Sequence, residues 1–253
     1  MVDLSGRTVL ISGASSGLGA GFARLTAQAG ARVVLGARRA ERCADLAAEI
    51  EREGGQAMAV PLDVTDEASV IAAYDAAEAR FGTIDSIVAN AGIGNGGRAT
   101  DVAADAVKGL LDTNLLGSFL VVREGARRLI ASGSREHGRG RVVLIGSITA
   151  EMNGTGDAMY AASKAALAHL GRQFARDWVR QGINVNCIQP GWIATEINAQ
   201  WFSTERGQAE IAALHRRRLL EADPVNDMLL YLLSDRARQV TGSTFTIDDG
   251  QSL

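Results

Sequence analysis

The chain has 253 residues, of which 47% are hydrophobic and 22% charged, a composition typical of a globular domain with a substantial core. Its formal charge of −3 and pI near 5.7 argue against a nucleic-acid partner. No apolar run approaches the roughly 18 residues of a membrane span, and no basic segment leads into one, so we expect neither a membrane partner nor a secretory signal.

Short apolar runs alternate with longer amphipathic ones through most of the sequence. The apolar runs predict buried strands at 7–12, 32–36, 57–61, 84–89, 141–146, 183–189 and 243–248. Helical periodicity predicts helices at 18–29, 40–52, 67–81, 107–131, 160–180 and 224–233. This alternation predicts one α/β domain over residues 1–253, a Rossmann-type, doubly wound, seven-stranded parallel sheet with helices on both faces. The polar stretch 132–140 is interpreted as a solvated loop.

A glycine-rich turn follows the first predicted strand directly. Gly13, Gly17 and Gly19 have the spacing G-x-x-x-G-x-G, a variant of the dinucleotide fingerprint. Glycines here allow a tight turn and a close approach to a pyrophosphate, which rests on the amides at the helix N-terminus. The candidate coenzyme contacts in this turn are Ser12, Gly13, Ser15, Ser16, Gly17, Leu18 and Gly19.

Two arginines end the second predicted strand, where an NAD site usually has a carboxylate for the ribose 2′-hydroxyl. The chain has Arg38 and Arg39 at this point and no acid before Glu41. A guanidinium matches a 2′-phosphate, which a carboxylate would repel. These residues therefore predict NADP(H), although they would also suit a basic helix start.

Tyr160 and Lys164 lie four residues apart on a predicted helix, so their side chains share one face. An ammonium close to a phenol favours the phenolate and makes the phenol a better proton donor near neutral pH. Of the 26 Lys and Arg residues in the chain, only Lys108 and Lys164 are lysines. A lysine at this position therefore indicates a need for the compact ammonium group. The simpler interpretation is a packed tyrosine beside a surface lysine.

Taken in order, these motifs resemble the short-chain dehydrogenase/reductase family, and the resemblance covers nearly the whole chain. The matches are residues 12–19 (T-G-x-x-x-G-x-G), Asp63-Val64 (D-V), residues 89–92 (N-N-A-G), Asn114, Ser147, Tyr160 with Lys164 (Y-x-x-x-K) and residues 190–195 (P-G-x-x-x-T).

Three positions depart from the family pattern. Ser12 replaces the usual threonine but keeps the hydroxyl. Ala89 replaces the first asparagine of N-N-A-G, which we expect to loosen the turn at the central strand slightly. Asp249 replaces a glycine of the C-terminal V-D-G-G, where family members usually pack subunits.

The resemblance implies hydride transfer between a nicotinamide and a carbonyl carbon, with four catalytic residues. Ser147 would donate a hydrogen bond to the substrate oxygen, and Tyr160 would deliver the proton. Lys164 would assist the tyrosine and bind the nicotinamide ribose, and Asn114 would hold a water against Lys164. The further coenzyme contacts that the resemblance implies are Asp63, Val64, Asn90, Ala91, Gly92, Tyr160, Lys164, Pro190, Gly191, Ile193 and Thr195.

Residues from 192 to about 220 correspond to the family's substrate lid. Apolar side chains in and near it are expected to line a cleft for a hydrophobic substrate, or simply to pack the lid onto the body. They are Ile93, Ile148, Met152, Trp192, Ile197, Trp201 and Phe202. The segment 215–218 (HRRR) is interpreted as a solvated helix end, or as an attractor for an anionic carrier.

The sequence thus favours an NADPH-dependent ketone reductase, equally an alcohol dehydrogenase in reverse, acting on hydrophobic and bulky substrates. A 3-oxoacyl-thioester reductase shares every motif, and a catalytically silent nucleotide-binding regulator is the third hypothesis. The resemblance also implies a homotetramer, or a homodimer, formed through the helices that carry Asn114 and Tyr160 and through the C-terminal strands.

Cys43 and Cys187 match no metal or redox spacing. We therefore expect no metal and a reducing, cytoplasmic compartment.

Overall fold

The computed structural model describes residues 2–94, 96–152, 156–194 and 199–253. Seven strands form one parallel sheet in the order β3-β2-β1-β4-β5-β6-β7, as the alternating pattern predicts. The strands are β1 (Thr8–Ser12), β2 (Arg32–Ala37), β3 (Gln56–Pro61), β4 (Ser86–Ala89), β5 (Gly140–Ile145), β6 (Ile183–Pro190) and β7 (Thr244–Ile247).

Helices cover both faces of the sheet. They are α1 (Gly17–Gln28), α2 (Ala40–Arg52), α3 (Glu67–Phe81), α4 (Ala104–Leu111), α5 (Ser118–Ala131), α6 (Ser134–His137), α7 (Ala158–Trp178), α8 (Ala199–Phe202), α9 (Glu205–Ala213) and α10 (Asp223–Leu233). No helix in the described ranges is long and apolar enough to cross a membrane.

Side chains alternate along β1 and so divide the core into two layers. Val9 and Ile11 face the layer that contains Phe22 of α1, and Leu10 faces the layer that contains Tyr74 of α3. A strand that is buried on both faces has a continuous apolar sequence. The sequence therefore predicts where β1 lies, but not which of its side chains face which layer of the core.

The predicted helix 107–131 is in fact interrupted. A π-helical turn, Asp112–Gly117, separates α4 from α5, and Asn114 lies within it. Such turns are frequent at functional sites. The apolar periodicity continues across the insertion, so the sequence pattern did not reveal it.

The interpretation of residues 132–140 as a solvated loop was only partly right, because residues 132 and 135–138 are exposed but the stretch is not all loop. The short helix α6 lies in this stretch, and Ser134 is fully buried. The Ser134 hydroxyl donates a hydrogen bond to the Gln181 carbonyl oxygen over 2.6 Å. This distant partner, and not the local sequence, fixes the turn.

Candidate active site

The carboxyl ends of the parallel strands meet at one edge of the sheet, where open α/β folds bind ligands. The strands β1, β4, β5 and β6 end there at Ser12, Ala89, Ile145 and Pro190. The predicted motifs follow these four ends directly, so the topology gathers them at a single edge.

The glycine-rich turn is packed too tightly for side chains. Gly13 has φ of 71°, and a Cβ atom added to it would lie 2.8 Å from the Cα atom of Ala91. A Cβ atom added to Gly19 would lie 2.3 Å from the Gly13 carbonyl oxygen. Backbone therefore lines this turn, as a close approach to a pyrophosphate requires.

Ser12 and Asn90 join the ends of β1 and β4. The Ser12 hydroxyl accepts hydrogen bonds from the amides of Asn90 (3.1 Å) and Ala91 (3.2 Å). The Asn90 side-chain amide donates to the carbonyls of Ser12 (3.0 Å) and Gly13 (3.2 Å). The serine hydroxyl thus anchors the turn, while Ala89 is buried in the core beside it.

The start of α1 suits a bound anion. Its N-cap residue, Ser16, makes no side-chain cap to the helix, and the first turn contains no acidic residue. The helix N-terminal amides and the positive end of the helix dipole therefore face the turn without an internal counter-charge. The Arg39 guanidinium donates to the hydroxyls of Ser15 (2.9 Å) and Ser16 (2.8 Å), which adds positive charge at the same place.

Arg38 is exposed at the end of β2, and its positive charge stabilises the Asp63 carboxylate. The Thr65 amide and hydroxyl bind the Asp63 carboxylate, and together with Arg38 they hold the pKa of Asp63 below its ordinary value. The Val64 side chain is buried against Gly117, so a coenzyme contact at Val64 would use its backbone.

The residues of this edge fit a nicotinamide dinucleotide. They provide a backbone cradle and an uncompensated helix N-terminus for its pyrophosphate, with two guanidinium groups at the end of β2.

Tyr160 and Lys164 lie on α7 as predicted, and the lysine is not at the surface. Lys164 is 4% exposed, and its Nζ atom lies 5.6 Å from the centroid of the Tyr160 ring. Nζ donates to the carbonyl of Ile145, at the end of β5, over 2.9 Å. Because an ammonium has three donors, two remain for hydroxyl groups of a ligand.

The Asn114 side chain makes three hydrogen bonds to its surroundings. Its Oδ1 atom accepts from the Ile93 amide (2.8 Å), and its Nδ2 atom donates to the Ile93 carbonyl (2.9 Å) and to the Ser163 hydroxyl (3.2 Å). The main-chain carbonyl of Asn114 also accepts a hydrogen bond, from the Ser118 hydroxyl at 2.9 Å.

Ser147 caps the short 3-10 turn that follows β5. Its oxygen accepts hydrogen bonds from the Thr149 amide (3.2 Å) and from the Thr149 hydroxyl (3.0 Å). The hydrogen bond from the Thr149 amide uses Ser147 as an acceptor, and the Ser147 hydroxyl can rotate to donate its proton to a substrate oxygen.

The loop after β4 brings these groups together. A Cβ atom added to Gly92 would lie 3.4 Å from Oδ1 of Asn114 and 3.5 Å from Nζ of Lys164. One added to Gly94 would lie 4.0 Å from the Tyr160 ring. The loop that follows Asn90 and Ala91 thus runs along the tyrosine and the lysine.

The segment after β6 returns to the start of α1. A pocket of about 170 Å³ lies between Gly17 and Leu18 on one side and Ile193 and Asn226 on the other. Pro190 is buried at the end of β6, and the Gly191 amide donates to the Ile247 carbonyl over 2.8 Å. The predicted contact Thr195 and the predicted wall residue Ile197 lie outside the described residues.

Sequence reasoning missed three residues of this edge, Ser163, Asn226 and Gln251. Ser163 lies within the Y-x-x-x-K motif, and its spacing from Tyr160 is the one signal that was available. Asn226 and Gln251 belong to distant elements, and no local pattern marks them.

The predicted walls of the substrate cleft are partly wrong. Ile148, the first residue of the 3-10 turn Ile148–Ala150, is completely buried and therefore cannot line a cleft. Ile93 is 40% exposed and Met152 is half-buried, so both remain accessible. Phe202 is buried, and its ring packs against that of Trp192 at 6.4 Å, so this pair attaches α8 to the body.

Comparison with known proteins places these features in a family. The family model described as Enoyl-(Acyl carrier protein) reductase matches residues 13–252. The cis-4-hydroxycyclohexanecarboxylate dehydrogenase of Sinomonas cyclohexanicum is 36% identical over 248 residues, and the L-rhamnose 1-dehydrogenase (NAD(P)(+)) of Azotobacter vinelandii is 35% identical over 250 residues. Each match covers 96% of this chain and 96% of the relative.

Solved structures agree. The crystal structure of a gluconate 5-dehydrogenase from Burkholderia cenocepacia in complex with NADP and tartrate has a TM-score of 0.92 and 33% identity, covering 99% of this chain and 96% of that one. The fold and motifs define an oxidoreductase that acts on CH–OH groups with a nicotinamide coenzyme. The chain belongs to the short-chain dehydrogenase/reductase family, which confirms the resemblance.

The tight turn gives a direct test with a matched control. Gly19→Ala places a methyl group against the Gly13 carbonyl, so we expect it to lower the free energy of unfolding by about 1–3 kcal/mol and to weaken coenzyme binding. Gly109→Ala, in α4 and away from this pocket, meets no atom of the described residues within 4 Å; it should stabilise the protein by about 0.5–1 kcal/mol and leave coenzyme binding unchanged. Urea denaturation and coenzyme titration measure both effects, and equal effects of the two substitutions would contradict the close packing.

Proposed function

We propose that this protein is an NADPH-dependent reductase of hydrophobic ketones, working in reverse as a secondary-alcohol dehydrogenase. The observation that carries the proposal is the meeting of Ser147, Tyr160 and Lys164 at the strand edge where the glycine-rich turn lies. Intact donors in all three positions also argue against a silent regulator.

The bound coenzyme supplies the hydride. The protein provides for the negative charge that develops on the carbonyl oxygen. Ser147 donates a hydrogen bond to that oxygen, and Tyr160 transfers its hydroxyl proton to it. Lys164, held by the Ile145 carbonyl, places its ammonium beside the Tyr160 ring and offers its remaining donors to the nicotinamide ribose.

Asn114 acts as a positioning residue in this proposal. Its side chain fixes the Ile93 backbone and the Ser163 hydroxyl, and Ser163 in turn donates to the main-chain carbonyl of Tyr160 over 2.7 Å. Asn114 therefore links the loop after β4 to the helix that carries the tyrosine. A proton path to solvent would pass along its main-chain carbonyl.

The preference for NADP(H) rests on Arg38 and Arg39. Arg39 lies against the serines of the glycine-rich turn, and Arg38 lies on the side of Asp63, so the two guanidinium groups flank the end of β2. No carboxylate occurs between Ala37 and Glu41 to bind a ribose 2′-hydroxyl. The complex of the related gluconate 5-dehydrogenase with NADP is consistent with this choice.

The ion pairs made by the segment 215–218 favour a ketone substrate over an acyl thioester. A thioester carrier brings an anionic phosphopantetheine, which this basic segment would attract under the second of the two interpretations given above. Arg216 and Arg218 instead pair with Asp249 at 3.2 and 2.8 Å, so an anion would have to displace a carboxylate. The accessible Ile93 and Met152 suit an apolar substrate.

The proton-donor role is tested by Tyr160→Phe. We expect turnover to fall by about 10²- to 10⁴-fold while NADPH affinity stays nearly unchanged, because the ring is retained and only the proton is lost. Tyr231→Phe, on α10, is the matched control and should keep full activity. Steady-state rates of NADPH oxidation, measured with aryl-alkyl ketones and with acetoacetyl thioesters, would give the turnover and distinguish the two substrate classes. A normal kcat in Tyr160→Phe would refute the role.

The coenzyme preference is tested by Arg38→Asp. The substitution should reduce the ratio of kcat/KM for NADPH over NADH by about 10- to 100-fold, because a charge-assisted bond is replaced by repulsion. Arg52→Asp, the same change at the far end of α2, serves as the control. If the NADPH/NADH ratio of kcat/KM is unchanged in Arg38→Asp, then Arg38 does not bind the 2′-phosphate.

We also propose that the chain forms a homo-oligomer through the helices that bear Asn114 and Tyr160. A groove of about 500 Å³ runs between these helices, and apolar side chains dominate it. They are Leu111, Leu115, Leu116, Phe119, Ala166 and Leu170. Leu116 is 44% exposed, which a second copy of the chain would cover.

Leu116→Asp should therefore convert the oligomer into smaller species in light scattering coupled to gel filtration, because it would bury an unpaired charge. Ile130→Asp changes a similarly exposed apolar residue (41%) outside this groove and should leave the mass unchanged. If Leu116→Asp keeps the mass of the parent protein, this face is not the interface.

A further inference from the structure

Three elements form the walls of the pocket of about 170 Å³ beside the glycine-rich turn. The start of α1 forms one wall, the residues directly after β6 form the second, and the first turn of α10 forms the third. Of the described residues that line the pocket, Asn226 alone has a polar side chain, since the others are glycine, alanine, leucine and isoleucine. A single amide group therefore lines an otherwise apolar pocket.

The backbone of Asn226 is fixed at the start of α10, while its side chain is unpaired. The main-chain amide donates to the Ala222 carbonyl over 3.0 Å, and the preceding residue, Val225, is fully buried. Within the described ranges no hydrogen bond joins the Asn226 side chain to another residue, although Asn226 is half-buried. A partly desolvated amide without a partner costs free energy. Its two N–H donors are thus available to a ligand.

Gly21 leaves the pocket open on the side of α1. A Cβ atom added to Gly21 would meet no atom of the described residues within 4 Å, whereas one added to Gly19 would lie 2.3 Å from the Gly13 carbonyl oxygen. Glycine inside a helix is destabilising relative to alanine. Close packing against the described residues therefore does not explain the glycine at this position, and the open space leaves room for a bound group beside Asn226.

The wall formed by α1 is the end of that helix at which an anion binds. Gly17 is the first residue of α1, Ser16 makes no side-chain cap, and the first turn has no acidic residue. The carboxylates of α10, Asp223 and Asp227, are exposed and are not among the described residues that line the pocket. In this fold the coenzyme pyrophosphate rests on the amides of the glycine-rich turn. An unpaired amide at this pocket suits the same anion.

We propose that Asn226 is a coenzyme-binding residue whose side-chain amide donates a hydrogen bond to the pyrophosphate of the nicotinamide coenzyme. The amides at the start of α1 bind that group from one wall of the pocket and Asn226 binds it from another, so α10 takes part in coenzyme binding. Because NADH and NADPH share the pyrophosphate, this contact depends neither on the coenzyme preference nor on the ketone.

Coenzyme titration tests the contact without turnover. Asn226→Leu keeps the approximate shape of the side chain and removes its donors, so the Kd should rise by about tenfold, as for the loss of one hydrogen bond to a charged group. Asn226→Asp brings a negative charge to the pyrophosphate and should raise the Kd by about 10- to 100-fold, less so at high salt. Asn226→Lys should bind at least as tightly as the parent protein. The fluorescence of bound NADPH or NADH measures all three.

Two controls distinguish a direct contact from a change in fold or in net charge. Gln28→Glu makes the same amide-to-carboxylate change at an exposed position at the far end of α1, and it should leave the Kd unchanged. Adenosine 2′-phosphate, or adenosine if the protein prefers NADH, has no pyrophosphate. Its affinity, measured by NMR titration, should be the same in the parent protein and in the Asn226 variants.

An unchanged coenzyme Kd in both Asn226→Leu and Asn226→Asp would overturn the proposal. Equal weakening of the coenzyme and of the adenosine probe would also overturn it, as would equal weakening by Asn226→Asp and Asn226→Lys. If the parent protein binds the coenzyme but reduces no ketone, the proposed reductase function fails, and the titration still decides the role of Asn226. A parent protein that binds neither NADH nor NADPH would overturn both.

Discussion

The proposed site depends on how the buried ammonium of Lys164 is bonded. A charge removed from water is costly unless it is paired or hydrogen-bonded. Here the Ile145 carbonyl at the end of β5 provides one bond, and the remaining donors point to the need for a ligand. This bond forms only if helix α7 packs on the sheet with Lys164 next to the end of β5. The same packing fixes the position of Tyr160, one helical turn before Lys164. The position of the proposed proton donor thus depends on where the lysine is bonded.

The parallel sheet supplies the rest of the site by ending its strands at one edge. Ser12 and Asn90 join the ends of β1 and β4 through hydrogen bonds in both directions, so the glycine-rich turn is bonded directly to the start of the loop along Tyr160. At the opposite end of the sheet, the buried Arg7 binds Asp85 at 3.1 Å and the Arg139 carbonyl at 3.0 Å. Strands β1 and β4 are therefore joined by neutral hydrogen bonds at the ligand edge and by a buried ion pair at the opposite end.

The departures from the family pattern have different consequences. Ala89 is buried beside a turn that Ser12 and Asn90 hold, so the asparagine it replaces is not needed for that connection. Asp249 instead brings a new carboxylate to the two arginines of a segment whose basic charge had no assigned partner in the sequence. One substitution is absorbed by neighbouring bonds, and the other creates bonds of its own.

The sequence by itself determined the α/β class, the parallel sheet and the residues that stand at its ligand edge, because buried strands, helical spacing and glycine turns are local patterns. The spacing of Tyr160 and Lys164 likewise followed from the geometry of one helix. Only the tertiary structure decided that Asn114 lies in a π-helical turn, that Ile148 is buried, and that Gln251 contacts Trp192. These features depend on partners far apart in the chain or on a one-residue shift within a helix. Apolar periodicity does not report either of them, since it registers only which neighbours in sequence share a face.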